Sequence, residues 1–322
     1  MNEFALIRRY FARDCATPSV LLGVGDDCAI LKPAPDEVLL VSTDLLVAGR
    51  HFPLNTAPED IGHKALAVNL SDLAAMGAQP RGVTLGLALP EADPDWLAGF
   101  AEGFHRLAAE FGVCLIGGDT VASPQLTLAV TVLGGAQPDR VLRRDAARPG
   151  DLIAVTGTLG DAGLGLRTVL SPDSVPAELP LADRDYLRGR LDRPTPRLAE
   201  GQVLAGFAHA AIDVSDGLAQ DLGHILAASG VGAEIDLAAL PLSAAARRWL
   251  ALDPSVETLP LTAGDDYELL FTLAPEDRDR LDFPATVIGS IRAEPGLVVR
   301  NRAGQAVDLA RGGFDHFAVG PD

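Results

Sequence analysis

Apolar and polar positions follow two rhythms through the first half of the chain. Residues 37–47 (EVLLVSTDLLV) open as a dense apolar run of β character. Residues 58–76 follow with helical spacing, Thr56 standing where an N-cap belongs and Gly77 where a helix stops. The pattern then predicts a strand over 81–89, a helix over 94–111, a short strand over 113–116 and an alternating strand over 125–133. Between residues 137 and 151 the composition turns to Arg, Pro, Asp and Gly, the mark of a domain boundary, drawn here as 1–148 and 149–322. Beyond it the pattern predicts a strand at 152–155, a helix after Gly160, a three-proline loop at 171–180 and a helix after Pro196. A strand into Asp213, a helix over 215–229 and strands at 267–272 and 285–291 complete the reading. Both halves mix strand and helix, which implies an α/β (α+β) protein of two mixed-sheet domains.

Composition narrows the function. With 48% hydrophobic residues and only 5% aromatic ones, the 322-residue chain can bury a substantial core. Its 26 basic and 44 acidic residues leave a formal net charge of −18, and Lys32 and Lys64 are the only lysines. Such a field repels polyanions, so nucleic acid is not an expected partner. A phosphorylated ligand must instead be met locally, by metal ions, arginines or backbone N–H groups. Cys15, Cys28 and Cys114 are widely spaced and form no C-x-x-C, so neither a disulfide framework nor a zinc site is expected. Cys28 and Cys114, set in apolar runs, read as small core residues. With no run of about 18 apolar residues and no signal-peptide pattern, the expectation is a cytoplasmic protein with no membrane partner.

The candidate chemistry is carboxylate chemistry. Four segments join an apolar run to a turn of small residues and then aspartate: LLGVGDD with Asp26 and Asp27, LLVSTD with Asp44, CLIGGDT with Asp119, and AIDVSDG with Asp213 and Asp216. Strand ends are where α/β folds gather functional groups. A single such aspartate reads as a turn or N-cap residue; four together point to a site. The stretch ALAVNLSDLAAM adds a sharper signal, because it is apolar on nearly every side yet carries Asn69 and Asp72 on one face. A buried carboxylate requires either a basic partner or a metal ion. Metal is the preferred reading, and oxygen donors without clustered His or Cys select Mg²⁺, Mn²⁺ or Ca²⁺. No Walker pattern, G-x-S-x-G or H-E-x-x-H occurs. A multi-carboxylate site remains, with Gly117 and Gly118 permitting close backbone approach.

These residues carry a family resemblance. GVGDDCAI (23–30), STDLLVAGRHF (42–52), KALAVNLSDLAAMGA (64–78), IGGDT (116–120), GDLIAVTGTLG (150–160), IDVSDGL (212–218) and GDDYELLFT (264–272) resemble, in order, the motifs of the thiamine-monophosphate kinase family. The resemblance implies the aminoimidazole ribonucleotide synthetase-like fold, with an N-terminal ATP- and metal-binding domain whose sheets pair across a homodimer. The C-terminal domain then completes the active site. It implies transfer of a phosphoryl group from ATP to thiamine monophosphate, giving thiamine diphosphate and ADP, with several Mg²⁺ ions. Carried over by motif, the metal ligands fall on Asp27, Ser42, Thr43, Asp44, Asp72, Asp119, Asp213 and Asp216. ATP contacts fall on Gly118, Asp119, Arg144 and Ser215, and substrate contacts on His51, Asp265 and Phe314. No general base is expected, because the attacking phosphate is already largely ionised at neutral pH.

The chain departs from the family twice. Where relatives usually read GGEDYE, this chain has AGDDYE, which places Ala263 for a glycine and shortens a glutamate to Asp265. The closing aromatic is Phe314, where a tyrosine or tryptophan is common, so a stacking face is kept and a polar handle lost. Three rival readings use the same carboxylates: an ATP-dependent synthetase of the same superfamily (aminoimidazole ribonucleotide, selenophosphate or hydrogenase-maturation type), a non-enzymatic divalent-cation binder, and a phosphohydrolase in which they activate water.

Overall fold

The computed structural model describes residues 3–13 and 17–307, and the chain divides into two compact units, Met1–Val141 and Leu142–Asp322. No helix among the described residues is long and apolar enough to cross a membrane.

The first unit opens with α1 (Glu3–Leu6), which runs on as a π-helical turn to Phe11. A small antiparallel pair follows, β1 (Val20–Leu22) with β2 (Ile30–Leu31). The main sheet comprises β3 (Val38–Val47), β4 (Gln79–Leu89), β5 (Leu115–Ala122) and β6 (Thr127–Ala136), in the order β3-β6-β4-β5. Only β4 and β5 run parallel, joined through α3 (Pro94–Glu110) as a crossover unit requires. One face of this sheet carries Leu128, Val130 and Val132, all at 0% exposure, and packs beneath α2 (Pro58–Ala75). The opposite face is open and apolar, with Leu39, Val41 and Leu45 exposed at 56%, 59% and 59%.

Helix α2 is buried along nearly its whole length because it lies between the sheet and α3. Its backbone almost touches that of α3. A Cβ on Gly103 would lie 1.8 Å from the Glu59 carbonyl oxygen, and one on Gly62 would lie 2.1 Å from that of Phe100. The helix starts as the pattern predicts, but its N-cap is Ala57, with Pro58 supplying the pre-set first turn in place of a Thr56 side-chain cap.

The second unit holds a seven-stranded sheet ordered β13-β12-β9-β11-β7-β10-β8. Its strands are β7 (Leu152–Thr156), β8 (Ala210–Asp213), β9 (Gly232–Asp236), β10 (Leu269–Leu273), β11 (Ala285–Arg292), β12 (Gly296–Arg300) and β13 (Ala306–Val307). Central β7 and β10 are antiparallel and buried along their length. One core joins their side chains to α7 (Leu218–Ser229) through Leu222 and Ile225. A second gathers around Trp249, from α4 (Asp161–Leu170), α5 (Leu181–Asp192), α8 (Ala244–Leu252) and α9 (Leu259–Thr262); α6 (Leu198–Leu204) precedes β8.

Two expectations change. Asp44 and Asp119 lie within strands β3 and β5 rather than in turns, because β5 continues past Ile116 by pairing Gly117–Ala122 with β4. Cys114 is disulfide-bonded, against the expectation of unpaired thiols, and Cys28 is free and exposed rather than in a core.

The contact at Gly103 generates a stability prediction. Gly103→Ala should destabilise the protein by about 1–3 kcal/mol, the usual cost of overpacking, despite alanine's better helix propensity. Thermal unfolding should show a lowered midpoint; an unchanged or raised one would mean that the helices part without cost.

Candidate functional site

In the first unit, alternation along β3 decides which side chains can meet. Ser42 and Asp44 point to the α2 side, whereas the Thr43 hydroxyl lies on the open face and shares a hydrogen bond of 2.8 Å with Thr131. On the α2 side the Ser42 hydroxyl donates to Asp72 Oδ2 at 2.5 Å, and the Asp44 amide N–H donates to Asn69 Oδ1 at 3.1 Å. Asn69, wholly buried, in turn donates to the Ala65 carbonyl at 2.9 Å. Asn69 is therefore the pin that holds β3 against the helix, and the i, i+3 spacing sets Asp72 beside Asp44. Burial, and secondly the charge of Asp72, push the Asp44 carboxyl from 3.8 to about 6.

The remaining candidates of this unit stand in other elements. Asp27 is exposed between β1 and β2, its amide donating to Asp26 Oδ1 at 2.9 Å. Asp119 is exposed on β5, at the opposite edge of the sheet from β3, and accepts from the Thr120 amide. Gly118 precedes it with φ +150°, and a Cβ there would fall 1.9 Å from the Leu85 carbonyl oxygen, so only glycine fits. His51 accepts the Val47 N–H at Nδ1 over 2.9 Å, which in the neutral ring leaves the proton on Nε2.

In the second unit, β8 ends at Asp213, which is buried, and the chain turns through Ser215 and Asp216 to Gly217 at φ +122°. One carboxylate holds this turn. Asp221 Oδ2 accepts the N–H groups of Ser215, Asp216 and Gly217 at 3.0, 3.1 and 3.1 Å. Burial nevertheless pushes its carboxyl up to about 7, against the pull of those amides. Asp216 accepts from Gln220, and Asp216, Asp221 and His224 bring potential ligand atoms within 4.8 Å of one another.

The turn is also tied to the segment carrying Asp265. The Asp265 N–H donates to the Ser215 carbonyl at 2.8 Å, and the Tyr267 N–H to that of Val214 at 2.9 Å. Gly264 lies so close that a Cβ would meet the Ser215 oxygen at 2.0 Å. Asp265 and Tyr267 both take positive φ, +67° and +50°, and the Tyr267 hydroxyl donates to Asp265 Oδ1 at 3.2 Å. Two buried acids anchor this strained backbone. Asp266, whose carboxyl burial raises well above its ordinary value, accepts from the Gly160 N–H at 2.6 Å. Glu268 accepts from Thr156, Arg190 and, through two nitrogens, Arg197. In the linker the Arg143 guanidinium is engaged by Asp145, while that of Arg144 has no partner among the described residues. Phe314 lies outside the described residues.

Asp221, Asp266, Glu268 and the two arginines were not read from the sequence as part of the site. Asp221 carried a signal of the Asp72 kind, an acid within an otherwise apolar helix (LAQDLGHIL).

The two units coincide with two family models, the AIR synthase related protein N-terminal domain over residues 25–136 and C-terminal domain over 148–301. Thiamine-monophosphate kinase of Escherichia coli K12 is 44% identical over 326 residues, covering 99% of both chains. The chain belongs to the thiamine-monophosphate kinase family. The crystal structure of thiamine-monophosphate kinase from Stenotrophomonas maltophilia K279a matches with a TM-score of 0.85 at 48% identity, over 95% of this chain and 98% of that one. AaThiL, complexed with AMPPCP and TMP, matches with a TM-score of 0.79 at 32% identity, over 91% and 92%. As a member of the thiamine-monophosphate kinase family, the chain is an enzyme of the nucleotide-dependent kinase class.

The Asp44–Asp72 pair generates a prediction with a defined sign. A folded-state pKa raised from 3.8 to about 6 means that the contribution of Asp44 to stability is fully present below 3.8 and is lost as pH rises through about 6. Asp72→Asn removes the like charge, so at pH 7.5 in EDTA it should raise the unfolding midpoint by about 2 °C. Millimolar Mg²⁺ should raise the midpoint of the wild type and leave that of the variant unchanged. A variant less stable than wild type in EDTA would refute the repulsion.

Proposed function

We propose that this protein transfers the γ-phosphoryl group of ATP in line onto a phosphate oxygen of thiamine monophosphate, yielding thiamine diphosphate and ADP, in the cytoplasm. The observation that carries the reading is the Asp44–Asp72 pair: two carboxylates and a hydroxyl brought together in one half-buried place, in a chain of this family.

The donor set fits Mg²⁺. Ser42, Asp44 and Asp72 offer oxygen only, and desolvation and mutual repulsion leave Asp44 in a state that a divalent cation would relieve. Those residues, with Asp27, Asp119, Asp213 and Asp216, would hold the ions; the Thr43 hydroxyl, expected among the ligands, is turned by the strand alternation to the open face and bonds Thr131 instead. When bound, Mg²⁺ would neutralise the polyphosphate and the charge that develops on the transferred group.

The protein's own groups do the rest. Gly118 and the Ser215 side chain are assigned to the nucleotide, and Arg144 supplies a guanidinium to the triphosphate. His51, with Nδ1 occupied by the Val47 amide, presents Nε2–H as a donor to the acceptor's phosphate. Asp265, held by Tyr267 and by the Ser215 carbonyl, places a carboxylate toward the acceptor's cationic ring. Phe314 is assigned to ring stacking. The acceptor phosphate, with a second pKa near ~6, needs no base; the protein's task is to align two anions and exclude water.

We also infer a homodimer, built by pairing the open sheet faces that carry Leu39, Val41 and Leu45. Val41→Asp should convert a dimer into a monomer in sedimentation analysis; a wild type that sediments as a monomer would overturn this inference.

The test of the activity is ADP release with product chromatography. Thiamine diphosphate should form in step with ADP, only with thiamine monophosphate and Mg²⁺ present, and EDTA should stop it. ADP formed without the acceptor would identify a phosphohydrolase instead.

A further inference from the structure

Three successive backbone N–H groups converging on one point at the start of a helix are the arrangement with which proteins hold phosphate. The turn before α7 has that arrangement, yet its occupant belongs to the protein. Asp221, 2% exposed, directs Oδ2 onto the N–H groups of Ser215, Asp216 and Gly217. The turn is closed from the other side as well, since Gly264 abuts the Ser215 carbonyl and the amides of Asp265 and Tyr267 bond to Ser215 and Val214. With these amides engaged, the turn presents outward the half-buried carboxylate of Asp216, which follows buried Asp213 at the end of β8.

We propose that Asp221 is a positioning residue: an internal anion that fills the amide nest of the 213–217 turn where a ligand phosphate would otherwise sit. It fixes the backbone from which the Asp216 carboxylate projects, just beyond Asp213 at the end of β8. A nucleotide phosphate cannot be gripped here by main-chain amides as in a phosphate-binding loop, and must be reached through cations held by those carboxylates. The filling of the nest stands on geometry alone; its consequence for cation use rests on the proposed kinase reaction.

Two experiments on the full chain test the parts separately. The first follows hydrogen–deuterium exchange of the peptide spanning 213–218 in wild type, Asp221→Ala and Asp221→Asn. Asp221→Ala should speed exchange of these amides about tenfold or more, the scale of one lost charge-assisted bond. Sulfate, but not chloride at equal ionic strength, should slow it again by entering the vacated nest, and wild type should not respond to sulfate. Asp221→Asn, which keeps an acceptor oxygen, should fall between them and serves as the readout if the alanine variant does not fold. Unchanged exchange in the asparagine variant, or an alanine variant blind to sulfate, would overturn the proposal. This exchange experiment involves neither ATP nor an acceptor, so it holds its meaning whether or not the kinase reading stands.

The second compares half-saturating Mg²⁺ for acceptor-dependent ADP formation in Asp221→Asn and wild type. A rise of about tenfold in Mg²⁺ requirement, with the KM for thiamine monophosphate within twofold, is the result expected of a residue that orients cation-binding carboxylates. An unchanged Mg²⁺ requirement would remove the positioning role.

Discussion

Negative charge gathered on negative charge is the constraint around which the first unit is arranged. Asp44 and Asp72 are drawn together by backbone: β3 cannot turn Asp44 away without breaking the Asn69 bond, and Asp72 is one helical turn from Asn69. Like charges so placed cost free energy in the protein alone, and the Asp44 carboxyl registers that cost by holding its proton toward neutrality. The surrounding packing sustains it. Helix α2 is clamped between sheet and α3, close enough at Gly62 and Gly103 for backbones to touch, so the pair cannot relax by sliding the helix outward. Rigidity around a repulsive pair is what a cation site requires: an ion bound there would relieve a repulsion that the protein cannot escape otherwise.

The second unit solves the same problem differently, by dividing its acids into two classes. Asp221, Asp266 and Glu268 are buried and committed inward, to three amides, to the start of α4 and to two arginines respectively. Asp216 and Asp265 stand less buried, on the two backbone segments those inward acids hold in place. The alternation is strictest over 265–268, where Asp265 and Tyr267 turn to one side, Asp266 and Glu268 to the other, and two positive φ angles are tolerated because the inward pair anchors the backbone on both sides. A chain with a net charge of −18 can thus spend some carboxylates as scaffolding and keep others for ligands.

Periodicity made most of this architecture legible. The strands and helices of the first unit followed from the change between two-residue and helical spacing, and Asp72 stood out as an acid in an apolar helix. What periodicity could not reveal was register. That Asp44 faces α2 while Thr43 faces the opposite side depends on which residues of β3 pair with β6, a long-range choice. Asp119 was read as a turn residue because glycines ordinarily end strands, whereas here Gly118 continues the ladder at a φ that other residues avoid. Helix α5 leaves no apolar periodicity in the sequence, because its surface is so polar that only Leu187, Leu191 and two aspartates are buried. The partners of Glu268, some 70 to 110 residues away in sequence, are invisible to any local pattern.

The departure AGDDYE shows how a substitution in a motif can be absorbed by its neighbours. Ala263 takes φ −85° and ψ 138°, ordinary extended geometry, so a glycine is not needed there for backbone reasons. Its methyl group faces Gly163 of α4, where an added Cβ would lie only 2.3 Å from the Ala263 Cβ. Gly163 leaves room for that methyl group, and the loop packs against the helix without a clash. Asp265 is not compensated in this way. Its backbone is fixed by the Ser215 carbonyl and its carboxylate by the Tyr267 hydroxyl, so the loop cannot advance to make up the missing methylene. A carboxylate held back on a rigid loop still presents its charge to a cationic ring, because Coulomb attraction declines gradually with distance. A direct hydrogen bond has no such tolerance. On the proposed reaction, recognition of the acceptor at this position would therefore rest on charge more than on contact.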